Sequence, residues 1–131
     1  MDEFYILKEE MKQKKKWAVV GVTENPDKFG YKIWKRLKEH GYTAYGVNPR
    51  YSEIENEKIY SSLTDLPEEV EVVDMVVNPT LSLGFLDQIA QTNIKYIWFQ
   101  PGTLDEAVLE KVEAMGVKFV YHECIYAELA R

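Results

Sequence analysis

The chain has 131 residues, of which 46% are hydrophobic and 29% charged, and its formal net charge is −6. That length gives one domain with a sizeable apolar core, and the balanced composition excludes a disordered chain. The negative balance excludes a generic nucleic-acid surface, because phosphate backbones are held by broad basic patches, and no apolar stretch is long enough to span a bilayer.

The first residues, MDEFYILKEEMKQKKK, carry charges where a secretion signal needs an uninterrupted apolar run. A cytoplasmic protein is expected, and the lone Cys124 agrees with a reducing compartment. Phe4, Leu7 and Met11 share one face of a predicted helix within residues 1–15, with Ile6 beside them. That face has two candidate partners: the edge of the domain's own sheet, or a second copy of the chain in a homo-oligomer. The basic run Lys12 to Lys16, interrupted by Gln13, falls at the C-terminal end of this helix. Cations suit the dipole there, and a solvated helix end is the expected role.

Residues 16–131 read as a single further domain. Five apolar segments predict buried strands: Trp17 to Val22, Thr43 to Asn48, Val72 to Asn78, Lys95 to Gln100 and Val117 to Tyr121. Runs such as AVVGV, VVDMVV and KYIWF suit strands covered on both faces, as in a parallel sheet. Helical spacing lies between them, first at Ile33, Trp34 and Leu37, then at Phe85, Leu86, Ile89 and Ala90, then from Leu104 to Met115. Gly41 and Gly116 are placed as left-handed stops, and Thr103 to Glu106 has the spacing of a capping box. The link from Pro49 to Glu71 is polar apart from one short helical candidate, Thr64 to Val70. Alternation of strand and helix predicts right-handed crossovers and an α/β fold: a single Rossmann-like domain, with a five-stranded parallel sheet and helices on both faces.

In open α/β sheets, ligands bind beyond the carboxyl ends of the strands. The first end reads Gly21, Val22 and Thr23, and Lys28 leads to Gly30 at a helix start whose amides can receive a phosphate. Neither the G-x-G-x-x-G nor the P-loop spacing is present, and the plain alternative is that Gly21 and Gly30 serve turn geometry with Lys28 in solvent. The second end reads Asn48, Pro49 and Arg50. An NAD-binding fold carries an acidic residue there for the ribose. A positive charge favours a phosphorylated ribose instead, either the 2′-phosphate of NADP or the 3′-phosphate of coenzyme A. The plain alternative is an arginine in contact only with water. The third and fourth ends read Asn78, Pro79 and Thr80, then Gln100, Pro101 and Gly102.

Taken in order, VVGVTENPDKFGYKIWKRLKEHGY, VNPR, YSSLTDLPEEVEVVDMVVNP, IWFQPGTLDEA and HECIYAE resemble the small stand-alone coenzyme A-binding domain proteins, relatives of the N-terminal domain of the succinyl-CoA synthetase α subunit. The similarity covers residues 16 to 128. It implies a Rossmann-like fold holding coenzyme A across the sheet's C-terminal edge. Gly21, Val22 and Thr23, with Lys28 and Gly30, would then approach the diphosphate. Asn48, Pro49 and Arg50 would line the adenosine end, with Arg50 on the 3′-phosphate. Asn78, Pro79, Gln100, Pro101 and Gly102 would flank the pantetheine arm. Lysine is common in the family where Arg50 stands, a change from point charge to planar fork that keeps the sign. The synthetase α subunit also needs a second domain with a phosphorylated histidine. This length leaves no room for it, so CoA-ligase activity is not expected of this polypeptide alone.

Few other residues invite a chemical role. Tyr31 directly follows Gly30 and is placed at the ligand, whereas the remaining tyrosines read as packing aromatics. His40 precedes Gly41 at a helix end, where it suits the dipole. His122, Glu123, Cys124 and Glu128 cluster after the last strand, and a thiol-centred reaction would need His122 to activate Cys124. Neighbours on an extended chain point apart, so a buried structural Cys124 is expected, with a mixed disulfide to the ligand thiol as the lesser reading. No catalytic residue and no metal site is assigned. The expected function is binding of coenzyme A or an acyl-CoA by a non-catalytic carrier, sensor or partner module. The alternatives are an NADP-binding oxidoreductase or redox sensor, and a ligand-free interaction protein.

Overall fold

Each apolar run of the sequence becomes a strand, with helices in the segments between. The computed structural model describes residues 2–129. Helix α1 (Glu3–Gln13) is followed by β1 (Lys16–Val20), α2 (Phe29–Glu39) and β2 (Thr43–Val47). A hairpin of β3 (Glu53–Ile54) and β4 (Glu57–Tyr60) comes next. The chain then runs through β5 (Val72–Met75), α3 (Pro79–Ile89), β6 (Tyr96–Phe99), α4 (Glu106–Met115), β7 (Lys118–Tyr121) and α5 (Ile125–Glu128).

The sheet has seven strands in the order β3-β4-β2-β1-β5-β6-β7, not the expected five. Six run parallel and β3 is antiparallel to β4. The two additional strands arise in the polar link from Pro49 to Glu71. The hairpin is too short for a strand signal: of its strand residues only Ile54 and Ile59 are buried, each 4% exposed. A two-residue turn at Glu55 (φ 52) and Asn56 (φ 66) closes the hairpin, and two positive φ values are what a tight turn needs to match strand twist. The expected helix Thr64 to Val70 is reduced to a single 3₁₀ turn, Leu63–Asp65, since Pro67 cannot continue it and Glu68 is drawn to Lys16 and Tyr45.

Alternation along each central strand divides the core into two layers. Trp17 and Val19 of β1 face α2 and α1 with Trp34, Leu37 and Met11, while Ala18 and Val20 face α3 and α4 with Leu86, Ile89 and Val112. Helices thus cover both faces, as a parallel sheet requires. Trp17, Trp34 and Trp98 are fully buried, and each indole N–H donates to a backbone carbonyl, of Lys14, Ala44 and Glu123 respectively. Loss of any one indole would cost about 3–5 kcal/mol.

Helix α1 lies on its own sheet beside β7. Met11 is fully buried, Phe4 meets Tyr121 at 5.8 Å between ring centroids, and the Lys12 ammonium donates to Glu128 at 3.1 Å. The basic run that follows is largely engaged: Lys14 and Lys15 sit over Tyr96 and Tyr42, and Lys16 pairs with Glu68. Helix α4 starts later than its sequence suggests. Asp105, not Thr103, is the N-cap, accepting from the Val108 amide, and the Thr103 hydroxyl instead donates to Gln100 in the preceding turn. Among the described residues, no helix is long and apolar enough to cross a membrane.

Candidate functional site

Strand order reverses at β1. The chain leaves β1 for β2 on one side and returns to β5 on the other, so the loops after β1 and β5 diverge and leave a groove between them. Two glycines let the backbone close beneath it. A Cβ on Gly21, whose φ is +103, would stand 2.6 Å from the Val76 carbonyl oxygen, and one on Gly30 would stand 2.2 Å from the Gly21 carbonyl oxygen. No side chain larger than hydrogen fits at either place, which draws the first turn of α2 directly onto the end of β1.

That turn is chemically open. Asp2, Asn78 and Asp105 cap the first turns of α1, α3 and α4 with their side chains, but the N-cap of α2 is Lys28 and makes no side-chain hydrogen bond. The leading amides of α2 therefore keep their capacity for an anion, reinforced by the helix dipole.

Arg50 is fixed by its neighbour. The Asn48 amide group donates to the Val22 carbonyl at 2.9 Å, the Asn48 side-chain oxygen accepts from the Arg50 backbone N–H at 2.9 Å, and the Asn48 backbone N–H donates to Tyr60. This ties the end of β2 to the end of β1 and to β4. The next residue, Tyr51, shares a 3.0 Å hydrogen bond with the Thr23 hydroxyl. Among the described lysines and arginines, only Lys28, Arg50 and Lys95 have neither an acidic partner nor an aromatic face. Two of those three line the groove.

The groove has two connected parts. One, of about 510 Å³, is lined by Gly21, Thr23, Lys28 and Gly30 of the first loop, by Asn48 and Arg50 of the second, and by Asn78, Pro101 and Gly102. The other, of about 550 Å³, shares Lys28 and Arg50, adds Pro49, and has an apolar floor of Val47, Val77 and Phe85. Four candidate residues lie elsewhere. Val22 is fully buried in the α2-side core, and the Tyr31 hydroxyl donates to Glu55. Pro79 opens α3. Gln100, 4% exposed, donates to Asp74 at 2.5 Å and accepts from the Ile125 amide at 3.3 Å. Sequence reasoning does not single out Phe29, Tyr51, Val77 or Leu81. Adjacency to Gly30 and Arg50 is a signal for Phe29 and Tyr51, and Phe29 and Leu81 stand 54% and 51% exposed on the rim.

Two other places hold titratable groups. Asp74, wholly buried in β5, has its carboxyl pushed up to about 8 by burial, against a smaller downward pull from the Gln100 amide. Its second oxygen has no partner among the described residues. Cys124 is half-buried rather than buried, because it sits at the N-cap of α5, and no hydrogen bond joins it to the exposed His122. Among the described residues no cluster could hold a metal ion. A hollow of about 630 Å³ at the opposite edge of the sheet is lined by Glu68, Glu69 and Glu71 together with Lys16 and Lys95, so acids outnumber cations there.

A model of a family described as CoA binding domain matches residues 15–130. YneT of Bacillus subtilis is 25% identical over 119 residues, covering 91% of this chain and 88% of that protein. The ADP-forming acetate–CoA ligase I subunit alpha of Pyrococcus furiosus is 35% identical over 86 residues, which is 61% of this chain but 19% of that subunit. The chain thus spans about a fifth of the length of that ligase relative. Among solved structures, a hypothetical protein from Pyrococcus horikoshii OT3 superposes with a TM-score of 0.90 at 33% identity, covering 99% of this chain and 92% of that one.

Proposed function

The chain belongs to the CoA-binding domain family, and from that premise we propose that its groove holds coenzyme A or an acyl-CoA, as a binding module. The observation that carries this is the meeting of an uncapped helix start with two unpaired cations, Lys28 and Arg50, around one groove at the reversal of strand order. The amides of α2 and Lys28 receive the diphosphate, while Arg50, on the second loop of the same groove, takes the 3′-phosphate through two parallel donors. The groove between Phe29 and the Pro101–Gly102 turn leads the pantetheine arm away from the charges.

No step of bond making is assigned to this chain. The described groove offers phosphate donors and apolar walls but no acid–base pair, so its action is capture and presentation of the carrier. The family match supports the 3′-phosphorylated carrier over NADP and over an empty groove.

Calorimetric titration with coenzyme A, dephospho-coenzyme A and NADPH tests the proposal. Saturable binding of coenzyme A, weaker binding of its dephospho form and weaker binding of NADPH are expected. Tight NADPH binding with no response to coenzyme A would replace the reading with the oxidoreductase alternative.

A further inference from the structure

The groove does not end at Arg50. A third hollow, of about 820 Å³, opens beside it, walled by Pro49, Arg50 and Tyr51 on one side and by Lys58, Tyr60 and Ser61 on the other. Arg50 lines this hollow and both parts of the groove, so a group on its guanidinium has the β3–β4 hairpin as a second wall.

Alternation along β4 decides what that wall presents. Glu57 and Ile59 turn towards α2: the Lys38 ammonium donates to Glu57 at 2.5 Å, and Ile59 enters the α2-side core. Lys58 and Tyr60 take the opposite face, where Tyr60 packs edge-on to Tyr45 at 6.0 Å. The hairpin's turn is tied to α2 as well, through Glu55, which accepts from Tyr31 and Lys35. One side of the hairpin is thereby anchored to the helix that opens on the groove. The other side carries Lys58, which has no acidic partner among the described residues and lies 5.2 Å from the Tyr60 ring centroid. One acid lines the same hollow, Asp65, and it accepts from the Ser61 hydroxyl at 3.1 Å.

We infer that Lys58 is a second phosphate-recognising side chain, so that a phosphate monoester on the ribose of the bound carrier lies between Arg50 and Lys58. The inference rests on the proposal that the groove holds coenzyme A. A monoester carries close to two negative charges near neutral pH, more than one guanidinium neutralises. Arg50 supplies a planar fork and fixes direction, whereas Lys58 supplies a compact charge on a flexible stem and adjusts to it. The hairpin, absent from the sequence pattern, then sets preference for the phosphorylated carrier over its dephosphorylated form. Asp65 opposes that preference by like charge.

Titration of the wild-type chain and of Lys58→Gln, Lys58→Arg and Asp65→Asn with coenzyme A and with dephospho-coenzyme A reads this directly, and urea midpoints verify that each variant is folded. Lys58→Gln is expected to weaken coenzyme A by roughly three- to tenfold and dephospho-coenzyme A by less than roughly twofold, the range of an exposed charge-assisted contact. Lys58→Arg is expected to restore most of the affinity, and Asp65→Asn to tighten coenzyme A alone. Equal losses for both carriers in Lys58→Gln, or none for either, would overturn the role of Lys58 while leaving the groove as the site. A wild-type chain that bound neither carrier would overturn both together.

Discussion

Arg50 carries its chemistry visibly in the sequence. Its place after the second apolar run, behind a proline, points to a phosphate, and the fold sets it beside an uncapped helix start. Arg50→Ala is therefore expected to weaken coenzyme A binding by about 1.5–3 kcal/mol, the scale of hydrogen bonds to a charged group, with little effect on dephospho-coenzyme A. Calorimetry with both ligands measures it, and an equal loss for both would place Arg50 away from the 3′-phosphate. Gly30 is legible only in part. The sequence marks a turn, but the 2.2 Å approach of a Cβ to the Gly21 carbonyl oxygen is a property of the tertiary fold. Gly30→Ala forces α2 off β1 and should destabilise by about 1–3 kcal/mol in urea unfolding. Gly84, inside α3 with nothing within 4 Å of an added Cβ, is the matched control, and Gly84→Ala should stabilise by about 0.5–1 kcal/mol. Tyr31 and Gln100 mark the limit of adjacency as a guide. Each neighbours a groove residue in sequence, yet Tyr31 turns to Glu55 and Gln100 turns inward to Asp74.

Elements read well from the sequence where burial is two-sided, and poorly where it is not. The central strands carry near-continuous apolar runs, interrupted in β5 by Asp74, because both faces are covered by helices. The hairpin buries one isoleucine from each strand, and most of its other positions are charged, with Glu55 and Glu57 meeting lysines on the rim of α2. A strand two residues long leaves no periodicity to detect. Its turn departs from the usual Asn-Gly pair, since Glu55 holds φ 52 without being glycine, asparagine or aspartate. The strain is offset by Lys35 and Tyr31, which both donate to the Glu55 carboxylate. Glu55→Ala and Glu55→Gly lose those partners equally, but only glycine relaxes the backbone. The glycine variant should exceed the alanine variant by up to about 1 kcal/mol in urea unfolding. Equal stabilities would mean that the turn opens once its carboxylate is gone.

At the scale of the whole molecule, the two core layers meet in β5, and one residue there breaks the apolar pattern. Asp74 faces the layer of Trp17 and Trp98, with one oxygen held by Gln100 and the other without a partner among the described residues. Gln100 in turn accepts from the first amide of α5, so the carboxyl is joined through one side chain to the last helix. Because burial raises its folded value to about 8 from 3.8, the folded chain holds a proton that the unfolded chain releases between those values. The stability supplied by the neutral carboxyl is full below about pH 4 and falls as pH rises, by at most about 1.4 kcal/mol per unit, until the group ionises near pH 8. Other shifted groups act outside this window. Glu10, Glu55 and Glu68 are held below their ordinary 4.5 by hydrogen bonds from Tyr96, Lys35 and Lys16, and their contribution is lost only as pH falls further. Tyr45, raised to about 12 by its hydrogen bond to Glu68, and the raised lysines titrate above the window. Asp74→Asn keeps an acceptor for Gln100 and removes the ionisation. Urea unfolding at about pH 5, 7 and 9 should therefore show the wild-type chain losing stability relative to the variant at each step upward. A parallel course of the two proteins would mean that water or a neighbouring donor reaches the carboxylate and keeps its ionisation close to that of the unfolded chain.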